Sequence, residues 1–377
     1  MHSLVQGGGT LNHTDSSDSR PVIHFVSGFL GSGKTTAIVE LCRLLVEEGY
    51  RTAVVTNDQG RYQVDKAFVE SARIPSTAVA EGCFCCRYDD FEEKVLSLSR
   101  EERPDVIFAE SVGSCADVIA TVVKPFRNFR GTHAPPGSLS TFTDIRMLEA
   151  RLADRDLLPF SDNVLYIFDK QIEEAEVLIV NKADLVDGAR ADALLSELDR
   201  LYPEKEKILI SAFEEMDVRR WWQMISSRAS DSHSRSLASM DYEIYGAGER
   251  MLSWLDARSR MVPGAGAGDS SGFRSAIRAG AGSSLLVRPG ADGIAPLVDL
   301  VQDFCERLRA EGAAIGHIKL SVEDAEGRVT KASVTGMDNL QTGERAEGPD
   351  RDHSDDGPSG GDPRSGAPGR YGAGIRA

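Results

Sequence analysis

Short apolar runs, each ending in a polar or glycine-rich turn, punctuate the first part of the chain. Residues 22–26, 52–56, 106–109, 139–142, 177–180 and 208–210 are such runs. Continuous apolar runs of this length predict strands buried on both faces, as in a parallel sheet. A second period appears between them. Ile38, Leu41, Cys42, Leu45 and Val46 recur at three- and four-residue steps. That spacing predicts a helix running through Glu48 and stopped by Gly49. Residues 191–201 carry a similar helical pattern. Strands alternating with helices predict an α/β fold with a mainly parallel sheet flanked by helices. Such a sheet collects its functional groups at the carboxyl ends of its strands.

The remainder is more varied. Residues 124–138 are rich in Pro, Gly and Arg and read as a surface loop. Residues 229–240 lie in a Ser-rich stretch and read as a linker between a domain at 21–228 and a small α+β C-terminal domain at 241–340. Within the latter, 242–261 shows strand-like alternation around Trp254 and 263–272 reads as flexible. Residues 294–308 place Leu297, Val301, Phe304 and Leu308 on one helical face. Residues 315–322 and 329–334 predict a hairpin closed near Glu326-Gly327. Residues 1–20 and 341–377 lack apolar pattern and read as disordered tails. No apolar run reaches the roughly 18 residues that span a bilayer, and residues 1–20 lack the apolar centre of a signal peptide. The expected location is cytoplasmic. A formal charge of −16 over 377 residues argues against nucleic-acid and membrane partners.

Five polar motifs follow the apolar runs. Gly28-Phe29-Leu30-Gly31-Ser32-Gly33-Lys34-Thr35, continued by Thr36, fits G-x-x-x-x-G-K-[ST]. Its backbone N–H groups and the positive end of the next helix suit phosphate oxygens. Lys34 is expected on the β- and γ-phosphates and the Thr35 hydroxyl on Mg²⁺. Asn181-Lys182-Ala183-Asp184 follows the run at 177–180. An Asp there accepts from the N1–H and amino group of guanine, a donor pair adenine lacks, so GTP is the expected nucleotide. Ser211 and Ala212 either support the base through their backbone or form an ordinary strand-end turn. Glu110 ends the run at 106–109. It either holds Mg²⁺ or orients the attacking water, with the Gly113 N–H near the γ-phosphate, or it simply caps the next helix. Asp58, within Asn57-Asp58-Gln59-Gly60 and shortly before Asp65, is either a switch-type metal ligand or part of an Asx-Gly turn. Cys83, Cys85 and Cys86 offer three thiolates to one soft or borderline cation such as Zn²⁺, with a fourth ligand to come from elsewhere or stay open. A buried cysteine cluster or a redox switch are the other readings of that spacing. His24, His133 and His317 are further ligands or structural residues. Cys42, Cys115 and Cys305, scattered among apolar residues, read as small buried hydrophobes.

These motifs, in this order, resemble the CobW-like family of P-loop GTPases (CobW/HypB/UreG nucleotide-binding domain) of metallochaperone type. The family pattern is G-F-L-G-x-G-K-T-T, N-E-x-G, G-C-x-C-C, E-x-x-G and N-K-x-D. Here it falls on Gly28 to Thr36, Asn57 to Gly60, Gly82 to Cys86, Glu110 to Gly113 and Asn181 to Asp184. The resemblance covers residues 21–228 well and the C-terminal part loosely. It implies GTP hydrolysis coupled to handling of Zn²⁺, Co²⁺ or a similar ion at the cysteine motif. It also implies switch movements that pass the ion to a client metalloprotein, and it leaves a homodimer open. Three departures stand out. Asp58-Gln59 replaces the usual Glu and Phe, Ser111-Val112 replaces a Thr pair, and no His-rich run follows in the C-terminal region.

The expected activity is therefore that of a Mg²⁺-dependent GTPase metallochaperone. The alternative is a nucleotide-switched metal or redox sensor with negligible catalysis. A third reading, a P-loop small-molecule kinase, is opposed by the Asn181–Asp184 motif.

Overall fold

The computed structural model describes residues 20–58, 63–130, 135–153, 158–227, 237–252, 305–307, 310, 317–323, 329–335 and 341–343. Seven strands form one parallel sheet. They are β1 (Val22–Gly28), β2 (Thr52–Asp58), β3 (Ser76–Ala80), β4 (Val106–Glu110), β5 (Pro136–Asp144), β6 (Val177–Asn181) and β7 (Glu206–Leu209). Their order across the sheet is β3-β2-β4-β1-β5-β6-β7. Register aligns the functional ends: Val26 pairs with Glu110 across β1 and β4, and Asp144 with Asn181 across β5 and β6. The expectation of a parallel α/β sheet is borne out.

The helices are α1 (Lys34–Glu47), α2 (Val64–Ser71), α3 (Tyr88–Glu101), α4 (Lys124–Arg130), α5 (Ile145–Ala153), α6 (Asp162–Glu174), α7 (Gly188–Leu201), α8 (Glu215–Ser226) and α9 (Tyr242–Met251). A π-helical turn, Ile119–Val123, leads into α4. Strand alternation sends successive side chains to opposite faces. Val106 and Phe108 of β4 face the core under α1, α2 and α8, whereas Ile107 and Ala109 face the core under α3 and α4. Likewise Val177 and Ile179 of β6 share the first core, and Leu178 and Val180 pack with α5, α6 and α7. Burial on both faces explains why these strands read as unbroken apolar runs.

Two sequence readings change. Residues 124–138 are not one surface loop: α4 occupies their start, and Pro136, Gly137 and Ser138 open the fully buried strand β5. Pro is tolerated at the first residue of a strand because it forfeits only one ladder donor. Residues 242–251 are not strand-like but form α9, whose N-cap Asp241 accepts from the Glu243 and Ile244 N–H groups. That helix packs on α6.

The predicted hairpin is present as β8 (His317–Glu323) antiparallel to β9 (Val329–Thr335), with a short β10 (Gln341–Gly343) beyond. Its closing turn at 324–328 lies outside the described residues. So do residues 1–19, 263–272, most of the predicted linker, all but 305–307 of the helix at 294–308, and residues 344–377.

Candidate functional site

The loop between β1 and α1 has the shape its sequence requires. Gly33 sits in the left-handed region (φ +89°), and a Cβ there would lie 2.3 Å from Asn181 Nδ2. Only glycine meets both conditions. The Lys34 ammonium donates to the carbonyls of Gly28 (2.9 Å) and Phe29 (3.3 Å), folded back across the loop. The buried Ser32 hydroxyl has no hydrogen-bond partner among the described residues. A buried hydroxyl left so is costly, and it fits a site that accepts a polar ligand. Thr36 stands on the first turn of α1, and Gly31 in the loop also has positive φ (+73°).

Three oxygens converge at the start of α1. Thr35 Oγ1 lies 2.9 Å from Glu110 Oε1 and 3.1 Å from Asp65 Oδ1, all three residues buried. A hydroxyl carries one proton and cannot donate to two carboxylates at once. A hard cation at this point satisfies all three oxygens together. The arrangement fits a hard cation such as Mg²⁺: it brings together Thr35 and Glu110, two of the three residues the sequence reading assigned to that ion, and adds Asp65. Its signal in the sequence was a carboxylate in the first turn of α2, next to the switch motif. Asp58 closes β2, paired with Ala80 of β3; its side chain lies outside the described residues, as do Gln59 and Gly60. Gly113 packs against the phosphate loop, since a Cβ there would meet Leu30 Cδ2 at 2.6 Å and Leu30 N at 3.0 Å.

On the far side, Asn181 is a brace. Its Nδ2 donates to Ser32 O (2.8 Å), and its Oδ1 accepts from the Ala212 N–H (3.0 Å). It thus fastens the phosphate loop to the Ser211-Ala212 turn, where the Ser211 N–H is held by Asp217. Lys182 adopts a left-handed backbone (φ 65°) and pairs with Asp144 at 3.0 Å. Burial pushes the Asp144 carboxyl up, but Arg146 and Lys182 more than reverse this and hold it below its usual range. Asp184 projects exposed from the short 3₁₀ turn Ala183–Leu185.

The cysteine loop precedes α3. Cys83 Sγ is 2.7 Å from Cys85 Sγ and 3.1 Å from Cys86 Sγ, with 4.0 Å between the last two. A bound ion at Zn–S distances would spread such a set to about 3.8 Å. The three sulfurs thus already face one point, and their chemistry fits a borderline cation. Asn57, at the end of β2, holds this loop. Its Nδ2 donates to Val79 O (3.1 Å) and Gly82 O (2.7 Å), and its Oδ1 accepts from the Phe84 N–H (3.0 Å). Sequence reasoning gave Asn57 no such task. Cys83 is buried, Cys85 half-buried and Cys86 exposed. Hydrogen bonds from Cys115, Cys85 and Cys86 hold the Cys83 thiol well below its ordinary range, against the effect of burial. The donating thiols of Cys85, Cys86 and Cys115 are pushed up by that bond and by burial. Cys115 is buried in the apolar core that also holds Cys83 and Phe84, as a small hydrophobe should be. His24 stands apart from the cysteine loop: it is buried in β1, 3.3 Å from Ser138 Oγ and stacked on Phe108. His133 lies outside the described residues, and His317 starts β8.

The family model described as the CobW/HypB/UreG nucleotide-binding domain matches residues 22–209. The zinc chaperone CobW of Sinorhizobium sp is 27% identical over 192 residues, covering 46% of this chain and 54% of that one. The zinc-regulated GTPase metalloprotein activator 1 of Dictyostelium discoideum is 25% identical over 217 residues, covering 48% and 44%. The zinc chaperone YeiR of Escherichia coli K12 is 25% identical over 207 residues, covering 53% and 51%. The chain spans about half the length of the curated relatives it matches. Through residues 22–209 it belongs to the CobW-like P-loop GTPase family, as a CobW/HypB/UreG nucleotide-binding domain.

Proposed function

We propose that this chain is a Mg²⁺-dependent GTPase that binds Zn²⁺ or Co²⁺ at Cys83, Cys85 and Cys86 and passes it to a client metalloprotein. The observation that carries this reading is that the paired strands β2 and β4 each end in one of the two sites. Asn57 at the end of β2 holds the cysteine loop, and Glu110 at the end of β4 reaches Thr35 in the phosphate loop. The names of the similar proteins, zinc chaperones and a zinc-regulated GTPase activator, support the choice of cargo.

Thr35, Asp65 and Glu110 would hold Mg²⁺, which when bound neutralises charge on the phosphates. Lys34 leaves the Gly28 and Phe29 carbonyls for the β- and γ-phosphate oxygens. The Gly113 N–H, beside Leu30, meets the γ-phosphate. Asn181 keeps the base loop and the phosphate loop in register, and Asp184 accepts from guanine. Loss of the γ-phosphate then loosens the loops carrying Asp58 and Gly113, and the thiol site with them. A thiolate cargo site needs a reducing compartment, which supports a cytoplasmic location.

The test is GTP and ATP hydrolysis with Mg²⁺, with and without one equivalent of Zn²⁺ or Co²⁺, beside the Cys83→Ser/Cys85→Ser/Cys86→Ser protein. GTP-selective turnover that responds to metal only in the wild type is expected. Metal binding without turnover would favour a nucleotide-switched sensor. Metal-independent ATP turnover would overturn the reading.

A further inference from the structure

β4 ends at Glu110, and residues 111–119 then run buried to the π-helical turn. Gly113 and Cys115 in this stretch lie in neither helix nor strand, so their buried carbonyls need partners from elsewhere. Helix α6 supplies both from one side chain: Gln171 Nε2 donates to Gly113 O (3.0 Å) and Cys115 O (2.8 Å). One turn further along α6, Glu174 Oε1 accepts the Ile119 N–H (2.5 Å). Gln171 is 1% exposed, and its Oε1 has no hydrogen-bond partner among the described residues. The amide is held the right way round, because turning it over would aim Oε1 at two carbonyl oxygens and withdraw both donors. Gln171 is thus fixed with its donors on this segment.

We propose that Gln171 is a positioning residue for the triphosphate: by pinning the Gly113 and Cys115 carbonyls it holds the Gly113 N–H where the γ-phosphate comes to lie. This rests on the GTPase reading above and deepens it. Gly113 abuts the phosphate loop so closely that a Cβ would meet Leu30 N at 3.0 Å and Leu30 Cδ2 at 2.6 Å. Glycine is therefore needed there, and glycine leaves its own backbone free to turn. The clamp from α6 removes that freedom. A donor already in place meets the phosphate charge without reorganisation. On this account α6, which carries none of the nucleotide motifs, sets how well the site tells GTP from GDP.

The test is the dissociation constant of the full chain, in Mg²⁺, for a non-hydrolysable GTP analogue and for GDP, in the wild type and in Gln171→Met, which is similar in length and offers no donor. The variant should bind the analogue about tenfold more weakly or worse, the worth of a hydrogen bond to a charged group, and GDP within about twofold of wild type. Equal weakening for both nucleotides would reduce Gln171 to a packing role, and no change for either would remove it altogether; both outcomes overturn the proposal. Should Gln171→Met fold poorly, amide hydrogen exchange on the wild type decides. The peptide spanning residues 113–119 should exchange at least about tenfold more slowly with the analogue than with GDP, and equal exchange in the two states overturns the proposal. Failure of the wild type to bind either nucleotide would instead sink the GTPase reading itself.

Discussion

The hydroxyl of Thr35 faces two buried carboxylates with a single proton to give. That frustration fits a cation site, and Asp65 is the member the motif pattern did not single out. Asp65→Asn is expected to raise the Mg²⁺ concentration needed for GTP binding by about tenfold or more, a loss of roughly 1.4 kcal/mol. An unchanged Mg²⁺ requirement would reduce Asp65 to a helix-terminus charge. Two other buried groups set opposing pH dependences. Burial lowers His24 to about 4. Below its unfolded value of 6.5 the unfolded chain takes up a proton that the fold resists, so stability is lost as pH falls from 6.5 towards 4. Burial raises Glu174 to about 7, against the Ile119 and Val118 backbone N–H groups. Here the unfolded chain releases its proton first, so stability is lost as pH rises from 4.5 towards 7. Each slope approaches about 1.4 kcal/mol per pH unit, and they oppose one another in the shared window. Glu174→Gln should therefore gain roughly 2–3 kcal/mol in stability between the two ends of that window relative to wild type, and His24→Gln should lose a similar amount. Urea midpoints across the window check this; variant profiles parallel to wild type would contradict it.

At the scale of elements, α8 shows how the sheet is fastened. Trp221 is fully buried, its Nε1–H donates to Ser140 Oγ (3.0 Å), and its ring meets Phe142 edge-on. Both partners lie on β5, the strand that ends at Asp144. Trp221→Ala should cost about 3–5 kcal/mol by denaturant unfolding, and a loss below 1 kcal/mol would mean the site refills. Asn57 plays the same part for the cysteine loop. Asn57→Ala keeps every thiol yet should weaken Zn²⁺ binding by roughly ten- to a hundredfold; unchanged affinity would show that the loop holds its own shape. Legibility followed the same division. The central strands and the motifs at their ends were plain because doubly buried strands give unbroken apolar runs and each motif is local. The α6 helix carried a readable pattern, Val164, Leu165, Phe168 and Ile172, behind Ser161 and Asp162, but lay outside the motifs. By contrast, α9 hid behind Gly246 and Gly248, poor helix formers that tertiary packing on α6 overrides.

For the whole molecule, the strand order β3-β2-β4-β1 carries the account. It sets the cysteine loop after β3, the switch after β2, Glu110 after β4 and the phosphate loop after β1 side by side on one edge. On the proposed reading nucleotide and ion sit at the ends of neighbouring strands, and any effect of one on the affinity for the other is matched by an equal reciprocal factor. The most direct test is the Zn²⁺ dissociation constant of the full chain, measured by competition with a chromogenic chelator, in Mg²⁺ with a non-hydrolysable GTP analogue and again with GDP. The account predicts at least about tenfold tighter binding in the triphosphate state, a coupling of roughly 1.4 kcal/mol. Equal constants in the two states would contradict it.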